Sequence, residues 1–470
     1  MTLVMISRKQ ALLTGVGSLV LAGIVTTKIK KPPAVLRLGK SIPHTATERR
    51  KTVWVMNHYS ISHLVEKGGR HYWISEQLKK DGYDVVVFGC NAVPDKNETF
   101  FPSHKLWQVQ YSESGIPYVV IESSAYEGNG VSRVKNMALF ARNLVKVANQ
   151  YAEVFGCPDV VYASSVHPLT IVAGERIAKL FGVPCIGEVR DLWPETLVAY
   201  DAVKKDSILA KVLYRGELWI YKRADAMVFT MEGAPSYIKE HKWDKENGGP
   251  IDLSNVYNVN NGVDLSQFDK NRETFVYPDV DLDNPDCFCA VYTGAIKRAN
   301  NVGLLLDAAE YLKDLPNFKI LVWGQGNEVE KLIGDAKMRG LDELFVYKGS
   351  VEKKYIPSII SRSDCNLMHW ERSSVNNYGY DYNKLFEYLA AGRVVFSTIQ
   401  SGHSLLVNKD CGIETEGNTP KNFADGIRKI YCMTPGERRE WGLKARSVAH
   451  DYDFSVQTRV LEQVIENVCK

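Results

Sequence analysis

Apolar and polar positions along most of the chain follow the pattern of strands that alternate with amphipathic helices. After Lys51, the stretch TVWVMNHY is typical of a buried strand, and GGRHYWISEQLKKDGYDVVVFG adds a glycine pair, an amphipathic helix and a second strand. Similar units continue through DVVYASS, PLTIVAGERIAKLFG and PCIGEV. Strands and helices of these lengths in alternation predict a parallel sheet with helices on both faces.

The pattern is interrupted once and then starts again. The run KWDKENGGPIDLSN is polar and aperiodic, and an irregular stretch containing Pro278 and Pro285 follows it. A second series of strands and helices begins near Cys287 with CFCAVYTGAI and continues to VVFST. The sequence therefore predicts an α/β protein with two doubly wound domains, over residues 51–265 and 266–450.

Residues 1–50 form a basic and apolar N-terminal segment. Ala11–Thr27 carries no charge, and a helix of that length would reach roughly 25 Å, against ~30 Å for a bilayer core. The cations at 28–31 outnumber those just before the segment, which favours a retained anchor with the remaining chain in the cytoplasm. We therefore expect a location at the cytoplasmic face of the inner membrane, anchored or peripheral. The alternative is a cleaved signal peptide.

Composition excludes several classes of protein. Apolar residues make up 45% and charged residues 24% of the 470, which is typical of a globular protein. A formal charge of +3 without a basic stripe argues against nucleic acid as a partner. The nine cysteines are mostly isolated, so neither a disulfide framework nor a zinc site is indicated.

The candidate functional residues are those that follow the strands, because ligands of open parallel sheets bind beyond the carboxyl ends of the strands. In the first domain these positions are Gly68–Arg70, Ser164–His167 and Glu188–Thr196. In the second they are Gly294–Arg298, Gly324–Gly326, His369–Arg372 and the stretch NNYGYDYNKLFEYLAAGRVVFS. GQGNEV lacks the third glycine of a dinucleotide fingerprint, and no Walker loop is present.

The stretch NNYGYDYNKLFEYLAAGRVVFS combines a cation and a carboxylate at the predicted start of a helix. Asn383 is the predicted N-cap, with Lys384 and Glu387 in the first turn on one face. The lysine could neutralise a phosphate, and the glutamate could accept two hydrogen bonds from a ribose diol. The alternative is a capping-type glutamate beside a solvated lysine. The first interpretation predicts a nucleotide site.

The segment EVRDLWPET is the strongest candidate in the first domain. Arg190, Asp191 and Glu195 crowd one strand-to-helix turn, and the Trp-Pro pair between them should make that turn rigid and partly buried. Rigidly held charges suggest a site. His167 lies at a neighbouring strand end and is either functional or a structural hydrogen-bonding residue.

From about Lys51 onward the chain resembles the family 4 retaining glycosyltransferases of the GT-B fold. It is most similar to the subgroup that builds bacterial surface polysaccharides and includes N-acetylfucosamine-type transferases. The resemblance is carried by GGRHYWISEQLKKDGYDVVVF, EVRDLWPET, NVNNGVDLSQF, YTGAIKRANNVGLLLDAA, VWGQGNEVEKL and NKLFEYLAAGRVV. It implies two Rossmann-like domains that face each other across a cleft, with residues 451–470 as a helix returning to the first domain.

The resemblance also implies roles for particular residues. The expected donor contacts are Gly69, Gly294, Arg298, Gly324, Gly326, Asn383, Lys384, Leu385 and Glu387. Of these, Arg298 and Lys384 would stabilise the diphosphate, and Glu387 would be the second glutamate of the family's Glu-x7-Glu motif. Arg190 and Asp191 match the subgroup's catalytic Arg-Asp-Leu-Trp-Pro element.

This chain departs from the family pattern at the first glutamate of that motif, which falls on Gly379. The candidates for contacts with the sugar or the acceptor are therefore His167, Glu195, Glu371, Gly379 and Asp381.

The implied activity is transfer of a sugar from a nucleotide diphosphate, expected to be UDP, with retention of configuration. A polyprenyl-diphosphate-linked or other cell-envelope glycan would be the acceptor. No cofactor or metal is expected, since the Asp-x-Asp sequence at Asp281–Asp283 lies in the irregular linker. Two alternatives remain: a UDP-sugar epimerase of the same fold, and a catalytically silent partner in a polysaccharide assembly complex.

Overall fold

The computed structural model describes residues 49–470, apart from residues 129, 166, 372 and 416 and the side chain of Ala299. The described chain divides into two compact α/β units. Across these residues, no helix is both long enough and apolar enough to span a bilayer. The predicted anchor at Ala11–Thr27 lies outside the described residues, so it stays a prediction.

The first unit is built on an eight-stranded sheet within the described residues, in the order β3-β4-β2-β1-β5-β6-β7-β8. The strands are β1 Thr52–Asn57, β2 Asp84–Cys90, β3 Trp107–Tyr111, β4 Pro117–Ile121, β5 Val160–Ser165, β6 Cys185–Val189, β7 Ala226–Phe229 and β8 Val256–Asn258. The central strand β1 is apolar on both faces, as a strand covered by helices on each side must be.

Helices cover this sheet in the connections between parallel strands. They are α1 Ser60–Glu66, α2 Arg70–Lys80, α3 Val131–Phe155, α4 Pro168–Phe181, α5 Glu195–Ala199, α6 Ile208–Tyr221 and α7 Ala234–Glu240. The prediction of a wholly parallel sheet was wrong at one edge, where β3 pairs antiparallel with β4. Those two strands are joined by a tight turn, and a tight turn can only join antiparallel neighbours.

The second unit has a six-stranded, wholly parallel sheet in the described residues, in the order β11-β10-β9-β12-β13-β14. The strands are β9 Phe288–Thr293, β10 Phe318–Trp323, β11 Phe345–Tyr347, β12 Cys365–Met368, β13 Val394–Ser397 and β14 Ile413–Glu414. Its helices are α8 Leu265–Thr274, α9 Gly303–Ala309, α10 Val329–Met338, α11 Ile356–Ser361, α12 Asn383–Ala390, α13 Leu405–Asn408, α14 Pro420–Tyr431 and α15 Pro435–Asp451.

The chain passes from the first unit to the second at Val259, and back again after Gln457, within α16 Phe454–Val468. The sequence placed these two boundaries at 265 and 450. One short segment inside the predicted first domain, Met231–Gly233, also belongs to the second unit. The Gly233 amide donates to the Tyr378 carbonyl at 2.8 Å, and a Cβ at Gly233 would lie 2.5 Å from that oxygen. Only glycine permits so close an approach.

Candidate functional site

The loops that follow β9 and β10 lie against each other at the carboxyl edge of the second unit's sheet. The Gly294 amide donates to the Trp323 carbonyl at 3.0 Å, and the Ile296 amide donates to the Gln325 carbonyl at 2.9 Å. A Cβ at Gly324 would lie 1.8 Å from the Gly294 oxygen, and one at Gly326 would lie 1.9 Å from the Ile296 oxygen. These backbone contacts require glycine at both positions, whether or not a nucleotide binds there.

Helix α12 begins at Asn383 with Tyr382 as its N-cap, so the prediction that Asn383 is the N-cap was wrong. The helix has no acidic residue in its first turn. Glu387 therefore lies beyond the region where a carboxylate stabilises a helix by capping or by the dipole. The structural alternative for Glu387 loses its main support.

Lys384 is held close to the end of β9. Its Nζ donates to Tyr292 Oη at 3.0 Å and lies 4.2 Å from the centre of the Tyr292 ring. A Cβ at Gly294, where φ is 146°, would lie only 2.8 Å from this nitrogen. Glycine therefore opens both the backbone angle and the space that the ammonium group occupies.

The environment of Lys384 favours an anion. Burial lowers the pKa of Lys384, against the opposing effect of Tyr388 and Glu387. The lysine also lies in the first turn of α12, where the helix dipole is positive and a cation is disfavoured. It forms no ion pair with a carboxylate in the part of the chain that the structure describes. A bound phosphate would relieve each of these penalties.

The Glu387 carboxylate is half-buried and has unused acceptor capacity. Burial raises the pKa of Glu387, and the positive charges of Lys353 and Lys384 oppose that rise. Among the described residues, its oxygens accept no hydrogen bond. The next residue fixes the helix: the Tyr388 hydroxyl accepts from the Thr293 amide at 2.9 Å and donates to the Thr293 carbonyl at 3.3 Å.

His369 belongs to this site, although sequence reasoning assigned it no individual role. It follows β12 and is 1% exposed, and its Nδ1 lies 2.5 Å from Thr398 Oγ1. Its buried Nε2 has no partner among the described residues. Burial and the charge of Lys384 lower the pKa of His369 to about 4, so the imidazole is neutral at pH 7. A lone histidine in a strand-like run gave no signal of this contact.

The other predicted residues of the second unit divide by environment. Leu385 is fully buried and its amide donates to the Tyr382 carbonyl at 2.9 Å, so it serves packing. Gly379 has a φ of 104°, a conformation that disfavours the glutamate found in the family motif. The Asp381 carbonyl accepts from Asn261 Nδ2 at 2.8 Å. Glu371 is half-buried just after β12.

Arg298 is exposed on a 3-10 turn, Arg298–Asn300, and its side chain forms no ion pair with any described residue. We expect Arg298→Ala to lower kcat/KM for the donor about tenfold, the order of one charged hydrogen bond. The free energy of unfolding should change by less than about 0.5 kcal/mol, as for an ordinary surface position.

Lys297→Ala provides the matched control for Arg298, because it removes an exposed cation one residue away. Steady-state measurement of kcat/KM for both variants distinguishes a diphosphate contact from an ordinary surface charge. Equal, small effects of the two substitutions would remove Arg298 from the diphosphate site.

In the first unit, the predicted loop at Gly69 is fixed by its surroundings. Gly69 is the N-cap of α2 with a φ of 95°, and a Cβ there would lie 2.8 Å from His63 Cδ2. The adjacent Arg70 is 2% exposed, and its guanidinium donates to Glu188 Oε1 at 2.8 Å and to the Val259 carbonyl at 2.8 Å. The resemblance implies a donor contact at Gly69, and the structure anchors the start of α2 beside it through a buried arginine.

Glu188 is the centre of a buried polar network that sequence reasoning missed. It is 0% exposed and accepts from Ser164 Oγ at 2.5 Å, from the Tyr162 hydroxyl and from His71 Nε2 at 2.9 Å. Asn57 Nδ2 donates to His71 Nδ1 at 3.2 Å, which places the histidine proton on Nε2. Despite burial, the charge of Arg70 and the hydrogen bond from His71 hold the pKa of Glu188 well below its ordinary value.

His167 is the N-cap of α4 and is 1% exposed. Its Nε2 lies 2.9 Å from Nδ1 of His58, and its buried Nδ1 has no partner in the described residues. Burial lowers the pKa of both histidines, to about 3 for His58 and well below the usual range for His167. The pair is neutral at pH 7, so neither imidazole acts as a cationic acid there.

The predicted charges after β6 lie close together. The Arg190 amide donates to Ser165 Oγ at 3.2 Å. Burial raises the pKa of Asp191, while the charge of Arg190 opposes that rise. Glu195 is 8% exposed and accepts from the Tyr214 hydroxyl at 2.5 Å. The first two residues keep their predicted place at the carboxyl edge of the sheet, whereas Glu195 is engaged in holding α6.

Two family models match the chain. The model described as "Glycosyl transferase 4-like domain" matches residues 69–248, and "Glycosyl transferases group 1" matches residues 281–448. These matches include Arg190 in the first unit and Lys384 in the second.

Among individual proteins, the chain is 24% identical over 318 residues to "Putative teichuronic acid biosynthesis glycosyltransferase TuaH" of Bacillus subtilis (strain 168), covering 63% of this chain and 75% of that one. The sucrose-phosphate synthase of Thermosynechococcus elongatus has a similar structure, with a TM-score of 0.64 at 16% identity over 89% of this chain and 99% of that one. HepE of Anabaena, solved with UDP and glucose, gives a TM-score of 0.59 at 12% identity over 89% and 100%. The chain is therefore a glycosyltransferase of the GT-B fold, with a glycosyltransferase 4-like domain followed by a group 1 domain.

Proposed function

We propose that this enzyme transfers a sugar from a UDP-sugar, with retention at the anomeric carbon, to a lipid-linked or other cell-envelope glycan. The observation that carries the donor assignment is the arrangement of Lys384 and Glu387 on α12. The ammonium group lies against Gly294, and the carboxylate keeps its acceptor capacity free of the described residues. One group suits a phosphate, and the other suits a ribose diol.

The comparisons support the choice of donor and acceptor. HepE of Anabaena was solved with UDP and glucose. The Bacillus subtilis relative is named for teichuronic acid biosynthesis, which supports a cell-envelope glycan as the acceptor. Retention and the subgroup of N-acetylfucosamine-type transferases rest on the motifs of the sequence.

In the proposed reaction, the bond from the anomeric carbon to the diphosphate oxygen breaks, and the bond to the acceptor oxygen forms on the same face of the sugar. The acceptor hydroxyl proton passes to the leaving phosphate oxygen. Lys384 and Arg298 stabilise the charge that develops on the diphosphate. We propose that the reaction needs no metal, with the two cations taking the electrostatic role.

A panel of UDP-, GDP- and TDP-sugars tests the proposed donor by ligand-induced thermal stabilisation. A ligand present at about 100 times its Kd should add roughly 2.7 kcal/mol to the free energy of unfolding. We expect the melting temperature to rise with a UDP-sugar and not with the others. The absence of a shift with every UDP-sugar would contradict the proposal. Incubation with the acceptor and analysis of the product's anomeric configuration by NMR would then test retention.

We also propose that Ala11–Thr27 is retained and holds the enzyme at the cytoplasmic face of the inner membrane, because the cations that follow this segment outnumber those before it. The intact protein should partition with membranes and carry its original N-terminus. A mature protein that begins near Lys28 would show that the segment is a cleaved signal instead.

A further inference from the structure

The first unit contains a largely apolar pocket, lined in part by Asp191, that the proposed donor chemistry does not use. Its cavity volume is about 200 Å³, and it opens to solvent. A cavity of this size is smaller than most sites for whole small-molecule ligands, so it would enclose only part of one. The walls come from the ends of β5 and β6 and from α4, α5 and α6, and they are formed mainly by Pro168, Ile171, Val189, Trp193, Leu197 and Ile220.

Four polar side chains form a small part of the pocket wall: Ser165, Asp191, Glu217 and Tyr221. Ser165 Oγ accepts from the Arg190 amide, and burial raises the pKa of Asp191. The Glu217 carboxylate, 7% exposed, already accepts from the Tyr221 hydroxyl at 2.5 Å and the Tyr237 hydroxyl at 2.7 Å. Burial raises the pKa of Glu217 to about 7, so much of this group is uncharged at neutral pH. A carbohydrate would leave most of its hydroxyls without partners here, whereas a hydrocarbon would lose no hydrogen bonds.

The apolar surface continues out of the pocket along α6. Val212 lines the pocket and is 43% exposed, and Ile208 is 82% exposed one turn earlier. Residues four apart share a helix face, so these side chains form a continuous apolar path to solvent. Folding of the first unit leaves this path uncovered.

The rim of this path is basic. The segment 204–215 contains four cations, Lys204, Lys205, Lys211 and Arg215, and a single acid, Asp206. All four cations are exposed, and none forms an ion pair with another described residue. A basic helix with exposed apolar residues is typical of a surface that meets anionic lipid.

We propose that this pocket binds the hydrocarbon chain of a lipid-phosphate acceptor, with the basic residues of α6 facing its phosphate. The inference rests on the proposed function, because it identifies where the lipid part of the acceptor would be held. The enclosed apolar wall, the open apolar path and the unpaired cations at the rim are the properties that a prenyl phosphate requires of its site.

Gly216 offers a way to fill the pocket without disturbing the fold. It lies in α6 and lines the pocket, and a Cβ built there meets no atom within 4 Å. Leucine also has a higher helix propensity than glycine. Gly334→Leu is the matched control, because Gly334 lies within α10 of the second unit and its Cβ also meets no atom within 4 Å.

The experiment is a calorimetric titration of the full chain with farnesyl phosphate, below its micellar concentration, and with inorganic phosphate. We expect farnesyl phosphate to bind and inorganic phosphate not to bind. Gly216→Leu should lower the affinity for farnesyl phosphate at least tenfold, and Gly334→Leu should leave that affinity unchanged. The double variant Lys211→Glu, Arg215→Glu should lower the affinity for farnesyl phosphate about tenfold. This loss of affinity should be smaller at high salt.

Titration of the same variants with UDP separates this inference from the proposed function. UDP affinity should be equal in the wild type and in both leucine variants. Failure of the wild type to bind UDP would count against the proposed function alone. The pocket assignment would be overturned if the wild type did not bind farnesyl phosphate, or if inorganic phosphate bound equally well. It would also be overturned if Gly216→Leu left the affinity for farnesyl phosphate unchanged. Should Gly216→Leu fail to fold, Val212→Asp replaces it, since that side chain is already 43% exposed.

Discussion

Lys384→Met should lower kcat/KM for the nucleotide sugar about 100-fold, the order expected when one preorganised electrostatic contact to the leaving group is removed. Methionine keeps most of the stem that packs on the Tyr292 ring, where Nζ lies 4.2 Å from the ring centre. The variant also removes a partly buried cation from the positive end of α12. The free energy of unfolding should therefore be unchanged or slightly higher.

Steady-state kinetics and thermal melting on the same preparation check this result. Lys337→Met is the matched control, because Lys337 is an exposed lysine on α10 of the same unit. It should leave both quantities unchanged. If Lys384→Met retained wild-type kcat/KM, the phosphate role of Lys384 would be excluded.

Glu387→Gln should weaken the binding of UDP by about 1 to 3 kcal/mol, which raises its Kd about 5- to 150-fold, because charge-assisted hydrogen bonds are lost. The substitution preserves the shape of the side chain. It should not lower stability, because the carboxylate accepts no hydrogen bond from a described residue.

The pH dependence of stability gives Glu387→Gln a second readout. Burial raises the pKa of Glu387 in the folded state, so the folded chain holds a proton that the unfolded chain releases. This group therefore makes wild-type stability fall as pH rises from the ordinary glutamate value through the folded value. The glutamine variant should lack this fall, as measured by denaturant unfolding across that range.

Glu330→Gln is the matched control for Glu387, because Glu330 is an exposed carboxylate in the first turn of α10. A helix-start carboxylate of that kind contributes about 0.3 to 1 kcal/mol of stability through the dipole. Glu330→Gln should lose stability of that order and keep UDP affinity. The same behaviour in Glu387→Gln would make Glu387 a structural residue.

The alternation of strands and helices was predictable because burial on each element is a local property of the sequence. The strand β1 could be recognised from its own residues, since every position from Val53 to Met56 is apolar and fully buried. The antiparallel edge strand β3 was missed. Its residues are half-buried or exposed, and its direction depends on pairing with β4.

The candidate site was only partly predictable, for a related physical reason. The spacing of Lys384 and Glu387 placed them on one helix face, which is local information. The contact of Lys384 with Gly294 joins residues far apart in the chain. The same holds for the network of Arg70, His71 and Glu188, in which buried charges are stabilised only by partners that folding brings together.

Glycine positions show a further limit of sequence reasoning. Gly324 and Gly326 were predicted as donor contacts, and a Cβ at either would meet the backbone of Gly294 or Ile296. Glycine would be required at both positions even in an enzyme that binds a different ligand at this edge of the sheet. The pattern therefore locates the loop but does not by itself assign a nucleotide to it.

A cycle of two ligands and two proteins tests whether Glu387 binds the ribose of the donor. Calorimetry would give the Kd of UDP and of 2′,3′-dideoxy-UDP for the wild type and for Glu387→Gln. A direct contact predicts that the wild type prefers UDP by about tenfold or more and that the variant loses this preference, because the carboxylate and the hydroxyls contribute as a pair. The same preference for UDP in both proteins would show that Glu387 does not bind the ribose.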